Sequence, residues 1–341
     1  MTPTGPRITG AGARTPLGLN RLQVTMCARA AALEPLPCRY PDSYGTSIGV
    51  VRAASLSDDL LGVERWLALA APALRECVSP TTGAPPSATR PPPLFLSIPQ
   101  AGRADDDARV GEELLPALAS RSGVALDVSR SQLVRQGHAG FATALLAGVA
   151  QLAAGSPAVL VGGVDSYYHP GVLAALDADR RVHSGAIEAG IIPAEGAAFV
   201  RLAREAGGAR ILGTILGVEI GRDESVVTGD PNLAEAMTKL VRRISVAAPD
   251  GRVPWILSDG NGERHRRDEW VKVAIRSKDI FPQDGRHDHP VEEMGELGAA
   301  SGAVFLAVVA TAWETGFAPA DLALLALHSE GPERGLVLAQ R

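Results

Sequence analysis

The residues that could do chemistry are few and far apart. His138 stands just before the apolar helical pattern FATALLAGVAQLAAG (141–155). A histidine at a helix N-terminus meets the positive end of the helix dipole, which favours the neutral imidazole and leaves a base or a nucleophile. The competing reading is a packed, hydrogen-bonded side chain. Glu296 precedes a second apolar pattern at 298–314, where a carboxylate stabilises a helix start without any catalysis. His287-Asp288-His289 offers metal ligands, yet a single His-x-His pair in FPQDGRHDHP reads as a solvated polar turn. GERHRRDE (262–269), which contains His265, reads as a solvated mixed-charge face. Cys27, Cys38 and Cys77 have neither CxxC nor metal spacing and read as small, buried or half-buried apolar side chains. Gly10-x-Gly12 lacks the third glycine and the partner acid of a dinucleotide fingerprint. No cofactor and no metal site is expected.

The elements that must position these residues alternate between strand and helix. Strands are expected at the opening RITG, GTSIGVVRAA (45–54), LFLSIP (94–99), SQLVRQG (131–137), PAVLVGGVD (157–165), AAFVRLAR (197–204) and VPWILSD (253–259). ARILGTILGVEI (209–220) reads as a strand pair or one long strand, and 321–341 as strand, turn, strand. Helices are expected near 19–33, 59–77, 106–121, 141–155, 231–247 and 298–314, and the proline-rich stretch 78–93 as an exposed loop. Such alternation implies an α/β fold with a mainly parallel sheet covered by helices on both sides.

The chain has 341 residues, 46% of them hydrophobic and only 4% aromatic, so its core must be aliphatic. A net charge of −5 with scattered basic residues gives no footprint for nucleic acid or an anionic membrane. The N-terminus lacks the apolar run of a signal peptide, and isolated thiols suit a reducing compartment, so the expected location is cytoplasmic.

Several segments, in order, resemble β-ketoacyl synthases of the thiolase-like superfamily: ITGAGARTPLG (8–18), GHAGFATALLAGVAQLAAG (137–155), VLVGGVDSYYHP (159–170), GIIPAEGAAFVRL (190–202) and GELGAASGAVFLA (295–307). SDGNGERHRRDEW (258–270) resembles the loop of the family's first catalytic histidine more weakly. The resemblance implies a thiolase-like fold, two similar βαβαβ halves packed as five layers (αβαβα), with halves at 1–206 and 207–341, generally dimeric. It also implies a degenerate site. His138 falls on the nucleophilic cysteine, Glu296 on one catalytic histidine and Asn261 on the other, so no catalytic residue is expected and no sulfur is available to accept an acyl group. Glu296 and Asn261 together could instead hold a cation or polarise water. HSEGPERG (328–335) replaces a glycine- and phenylalanine-rich loop, and its charged residues should fill substrate space.

Three roles follow from the resemblance. The closest likeness, carried by GARTPLGL and GVERWLALAAPALRE (62–76), is to short thiolase-like proteins associated with type VI secretion effectors, which implies an accessory role with an effector or spike protein as partner. The second is a chain-length-factor-like subunit that pairs with an active ketosynthase through the strand before His138, with an acyl carrier protein as a further partner. The third is an atypical acyl-binding protein or acyltransferase that uses His138.

Overall fold

The computed structural model describes residues 5–30, 33–79, 90–184, 187 and 190–341. The first half runs β1 (Arg7–Arg14), α1 (Arg21–Arg29), β2 (Leu36–Pro41), β3 (Ser47–Val50), α2 (Gly62–Val78), β4 (Leu94–Ser97), α3 (Val110–Ser122), β5 (Gln132–Val134), α4 (Gly140–Ala153), β6 (Ala158–Ser166), α5 (Pro170–Ala178) and β7 (Glu195–Ala203). The second runs β8 (Gly213–Arg222), α6 (Ser225–Thr228), α7 (Glu235–Ile244), β9 (Trp255–Ser258), α8 (Arg264–Arg276), β10 (Arg286–Asp288), α9 (Val291–Met294), α10 (Ser301–Thr315), β11 (Leu322–His328) and β12 (Glu333–Gln340).

Ten strands join in the order β10-β9-β11-β12-β8-β1-β7-β6-β4-β5. Read outward from the β8–β1 junction, each side has the same plan: two antiparallel pairings, then two parallel ones. The junction itself is slight, with Arg7 opposite Thr214 and Ile8 opposite Gly213. The sheet is therefore mixed, where the alternation of strand and helix implied a mainly parallel one; β1, β7, β8 and β12 supply the antiparallel centre.

Side-chain alternation converts this sheet into layers, because successive residues of a strand face opposite sides. Val159 and Val161 of β6 enter a central core while Leu160 and Val164 enter an outer one. Leu325 and Leu327 of β11 enter the same central core, and Leu324 and Ala326 a second outer one. The central core is built on α4 and α10 (Phe141, Leu145, Val304, Phe305, Trp313), the outer cores on α2 with α3 and on α7 with α8. That is the five-layer α-β-α-β-α order. Gly302 lets the two central helices come close, since a Cβ there would lie 2.6 Å from the Phe141 ring. The apolar stretch Gly298–Thr315 is long enough to cross a membrane, but it is mostly buried as this central helix.

Several expectations shift. The 209–220 segment forms one strand from Gly213, and the loop expected at 78–93 falls largely on 80–89, outside the described residues. Helix α5 and strand β2 lie outside the expected elements, and the strand expected at 45–54 is β3, which pairs with β2. GERHRRDE is not a solvated face: it opens α8, with Arg266 and Glu269 buried. His287-Asp288-His289 is not a solvated turn either, because β10 pairs in parallel with β9 and its side chains are half-buried.

A fully buried ion pair ties α2 to β7. Arg65 Nε and Nη2 donate to Glu195 at 2.5 and 2.8 Å, and Glu195 also accepts from the Ala53 N–H and the Ser166 hydroxyl. Removing one partner of such a pair strands a charge out of water. Arg65→Leu should therefore lower unfolding free energy by about 3–5 kcal/mol in urea titrations, whereas the exposed-pair variant Arg39→Leu should leave it nearly unchanged.

Candidate functional site

The carboxyl ends of the parallel strands in both halves converge on one buried place. His138 sits on the short 3-10 turn Gly137–Ala139 between β5 and α4, Glu296 just before the matching turn Gly298–Ala300 and α10, and Asn261 between β9 and α8. The structure brings these three together. His138 Nε2 lies 2.7 Å from Glu296 Oε1, and Asn261 Nδ2 donates to Glu296 Oε2 at 2.7 Å. The Gly298 N–H donates to Oε1 at 2.9 Å, so both carboxylate oxygens are occupied. His138 is 1% exposed and Glu296 is fully buried.

The proton balance follows from this geometry. Burial works against ionisation of Glu296, but the nearby imidazole, its hydrogen bond, Arg266 and the Gly298 N–H outweigh it and bring the carboxyl down to about 2. An ionised carboxylate can only accept, so His138 carries its hydrogen on Nε2. Burial also opposes the imidazolium, yet the Glu296 charge prevails and raises His138 above its ordinary value. The direction is the reverse of what the helix field alone would give, because a carboxylate at contact outweighs a partial charge at a helix end.

A larger ion network packs around this pair. Arg266 reaches Asp259 at 3.2 Å and Glu330 at 2.9 Å; Arg181 grips Glu263 at 2.6 Å and Glu330 at 2.7 Å. Glu263 in turn accepts from Asn261 at 3.0 Å. His328 Nδ1 meets Asp259 at 2.8 Å, and Arg334 holds Glu269 in a two-pronged contact at 3.0 and 3.1 Å. His328 at the end of β11, Ser329 in the loop after it and Arg334 at the start of β12 are buried here, and Glu330 joins them from the rim. His265, four residues beyond Asn261, lies on the exposed side of α8 and takes no part in these bonds.

The two helix starts are capped from the opposite half. The Ala139 N–H donates to Ser329 Oγ at 3.0 Å, and the Ala299 N–H donates to Asp165 Oδ2 at 2.8 Å. Arg103 secures Asp165 at 2.6 Å. Donors that could steady a developing oxyanion are thereby engaged. Arg181 was not singled out from the sequence; Ser329 and Glu330 lie in HSEGPERG, whose charged residues were expected to fill space here, and Glu263 and Arg266 lie in GERHRRDE, where a charge at every third position (Glu263, Arg266, Glu269) reads as surface by hydropathy.

The His-x-His pair makes a separate relay. Trp270 Nε1–H can only donate, so His287 accepts at Nδ1 (3.1 Å) and donates from Nε2 to Ser258 Oγ (3.0 Å). The Ser258 hydroxyl is then free to donate to His289 Nδ1 at 2.8 Å. Burial and the adjacent His289 bring His287 down to about 4, so it is neutral here.

No family model and no curated protein matches the chain. Solved structures match it over nearly its whole length. The ishigamide ketosynthase/chain length factor superposes with a TM-score of 0.73 at 20% identity, covering 98% of this chain and 99% of its own. The ketosynthase from module 6 of the bacillaene synthase of Bacillus subtilis 168 gives 0.75 at 14%, covering 99% and 72%. A ketosynthase structure described as AntDE:AntF, a type II polyketide synthase acyl-carrier protein in complex with its ketosynthase bound to the hexaketide, gives 0.77 at 13%, covering 99% of each chain. The fold is that of the thiolase-like ketosynthases.

The His138–Glu296 pair predicts a stability profile. A raised imidazole contributes fully below its ordinary 6.5 and loses its contribution as pH rises through the folded value. A lowered carboxyl contributes above its ordinary 4.5 and loses it as pH falls towards 2. Unfolding free energy from urea titrations should therefore include a pair contribution that is greatest between pH 4.5 and 6.5. Glu296→Gln should lower stability at pH 6 by about 3 kcal/mol and reduce the decline above pH 6.5.

Proposed function

We propose that this chain is a non-catalytic, ketosynthase-like subunit that acts by pairing with a second thiolase-fold protein, in the manner of a chain length factor. The observation that carries the reading is the buried clamp at the position of the missing nucleophile: His138 is held by Glu296 at 2.7 Å, and Glu296 has no free oxygen. A condensing enzyme needs a thiolate near a helix N-terminus and an open place for an acyl group. Here the helix start holds an imidazole tied to a carboxylate, and arginines and carboxylates from α8 and the C-terminal loop surround it. Of the three free cysteines, Cys77 and Cys38 lie in other cores, where burial pushes their thiols up, the reverse of activation.

The pairing half of the reading rests on β5, the last strand of the sheet. It bonds to β4 on one side only, leaving the backbone groups of the other edge available for a partner strand. The solved neighbours give the same direction, one being described as a ketosynthase/chain length factor and another as a ketosynthase with an acyl-carrier protein. The accessory role beside a secretion effector finds no support in the site or among these neighbours, and the acyltransferase role would need His138 freed from Glu296.

Two measurements decide among these roles. Co-expression with an active ketosynthase from the same organism should give a stable heterodimer on gel filtration; recovery of a secretion effector or spike protein in its place would move the function to the accessory role. Incubation with acyl-thioesters should leave the intact mass unchanged, whereas an acyl adduct that disappears in His138→Ala would establish the enzyme.

A further inference from the structure

A second feature lies at the far end of the first half and is independent of the pairing role. The amino ends of β4 and β6 and the carboxyl end of β7 border a cleft of about 460 Å³, a volume suited to a small molecule. Its lining carries four arginines, Arg90, Arg130, Arg201 and Arg204, against one carboxylate, Glu205. Arg130 is neutralised by Asp127 at 2.6 Å. Among the described residues, no carboxylate forms an ion pair with Arg90, Arg201 or Arg204. Counting Glu205 against them, the cleft holds two positive charges that no carboxylate among the described residues balances.

Arg201 is the telling residue. It is half-buried on β7, and its one hydrogen-bond acceptor is the Thr9 hydroxyl at 2.7 Å. Burial makes its guanidinium easier to deprotonate than usual, the mark of a cation withdrawn from water without a counter-ion. The buried Arg65, Arg266 and Arg334 are each paired with a carboxylate, while half-buried Arg14, like Arg201, meets a hydroxyl. An arginine left open beside other arginines is arranged for an anion that comes from outside, and guanidinium forks match phosphate oxygens.

We propose that this cleft binds a phosphate-bearing small molecule with at least two negative charges, held by Arg201 and Arg204 with Arg90 at the rim. The site is distinct from the His138 cluster. Strand β6 runs the whole way between them, from Ala158 at the cleft to Asp165 beside the Ala299 N–H, a span of about 25 Å at the usual rise per residue. The scattered arrangement of basic residues elsewhere suits a small ligand better than a nucleic acid, which needs a continuous basic track.

The probe is inorganic pyrophosphate, titrated calorimetrically into the intact chain at constant ionic strength, with inorganic phosphate and chloride for comparison. Saturable 1:1 binding is expected, tighter for pyrophosphate than for phosphate and absent for chloride. Arg201→Gln and Arg204→Gln should each weaken it at least tenfold. Arg201→Gln should also melt no lower than the parent without ligand, because it removes an unbalanced half-buried charge. Arg204 is exposed, so its variant remains informative if Arg201→Gln fails to fold. Absence of saturable binding, or equal affinity in Arg204→Gln and the parent, would overturn the proposal; a lowered melting temperature in Arg201→Gln with unchanged affinity would assign Arg201 to packing alone.

Discussion

A carboxylate held out of water must be matched by a cation and by donors, and the centre of this molecule is organised around that requirement. Glu296 comes from the second half and His138 from the first, and their contact at 2.7 Å joins the halves where the starts of the two central helices meet. Asp165 and Ser329 reinforce the junction by capping each helix start from the opposite half. Breaking the central pair would leave Glu296 with its neutral donors and one charge too many, a cost that falls on the interface between halves rather than on either sheet.

The surrounding network has the same logic on a larger scale. Asp259, Glu263, Glu330 and Glu269 would repel one another in a dry site. Arg266, Arg181 and Arg334 separate them, each touching at least one carboxylate. The side chains of α8, of the end of β11 and of the loop that follows it fill this centre with groups that gain their stability from one another. A charged network of this kind can fix the geometry of a junction with precision, and it offers little to an apolar acyl chain.

How far the sequence disclosed this differs from one element to another. Strands β4, β6, β11 and β12 are continuous apolar runs or near-alternating patterns, and period alone located them. The positions of His138 and Glu296 were legible because each precedes a long apolar helix, α4 and α10. Helix α8 was hidden for a physical reason: its buried positions Arg266 and Glu269 are charged, so an inward face resembled an outward one until Trp270 and Val273. The rise in the His138 value has no local signal, because it comes from a partner 158 residues away in sequence. The mixed sheet was missed for a similar reason. Strand direction depends on which distant strands pair, as when β1 lies between β7 and β8.

Whether His138 is held by Glu296 or is a free base is tested most directly by its titration. Heteronuclear NMR of the labelled imidazole, followed against pH, should show His138 protonated on Nε2 with a midpoint above the ordinary 6.5, and that midpoint should fall in Glu296→Gln. A midpoint at or below 6.5 in the unaltered chain, indifferent to Glu296, would contradict the account and return His138 to the role of an available base.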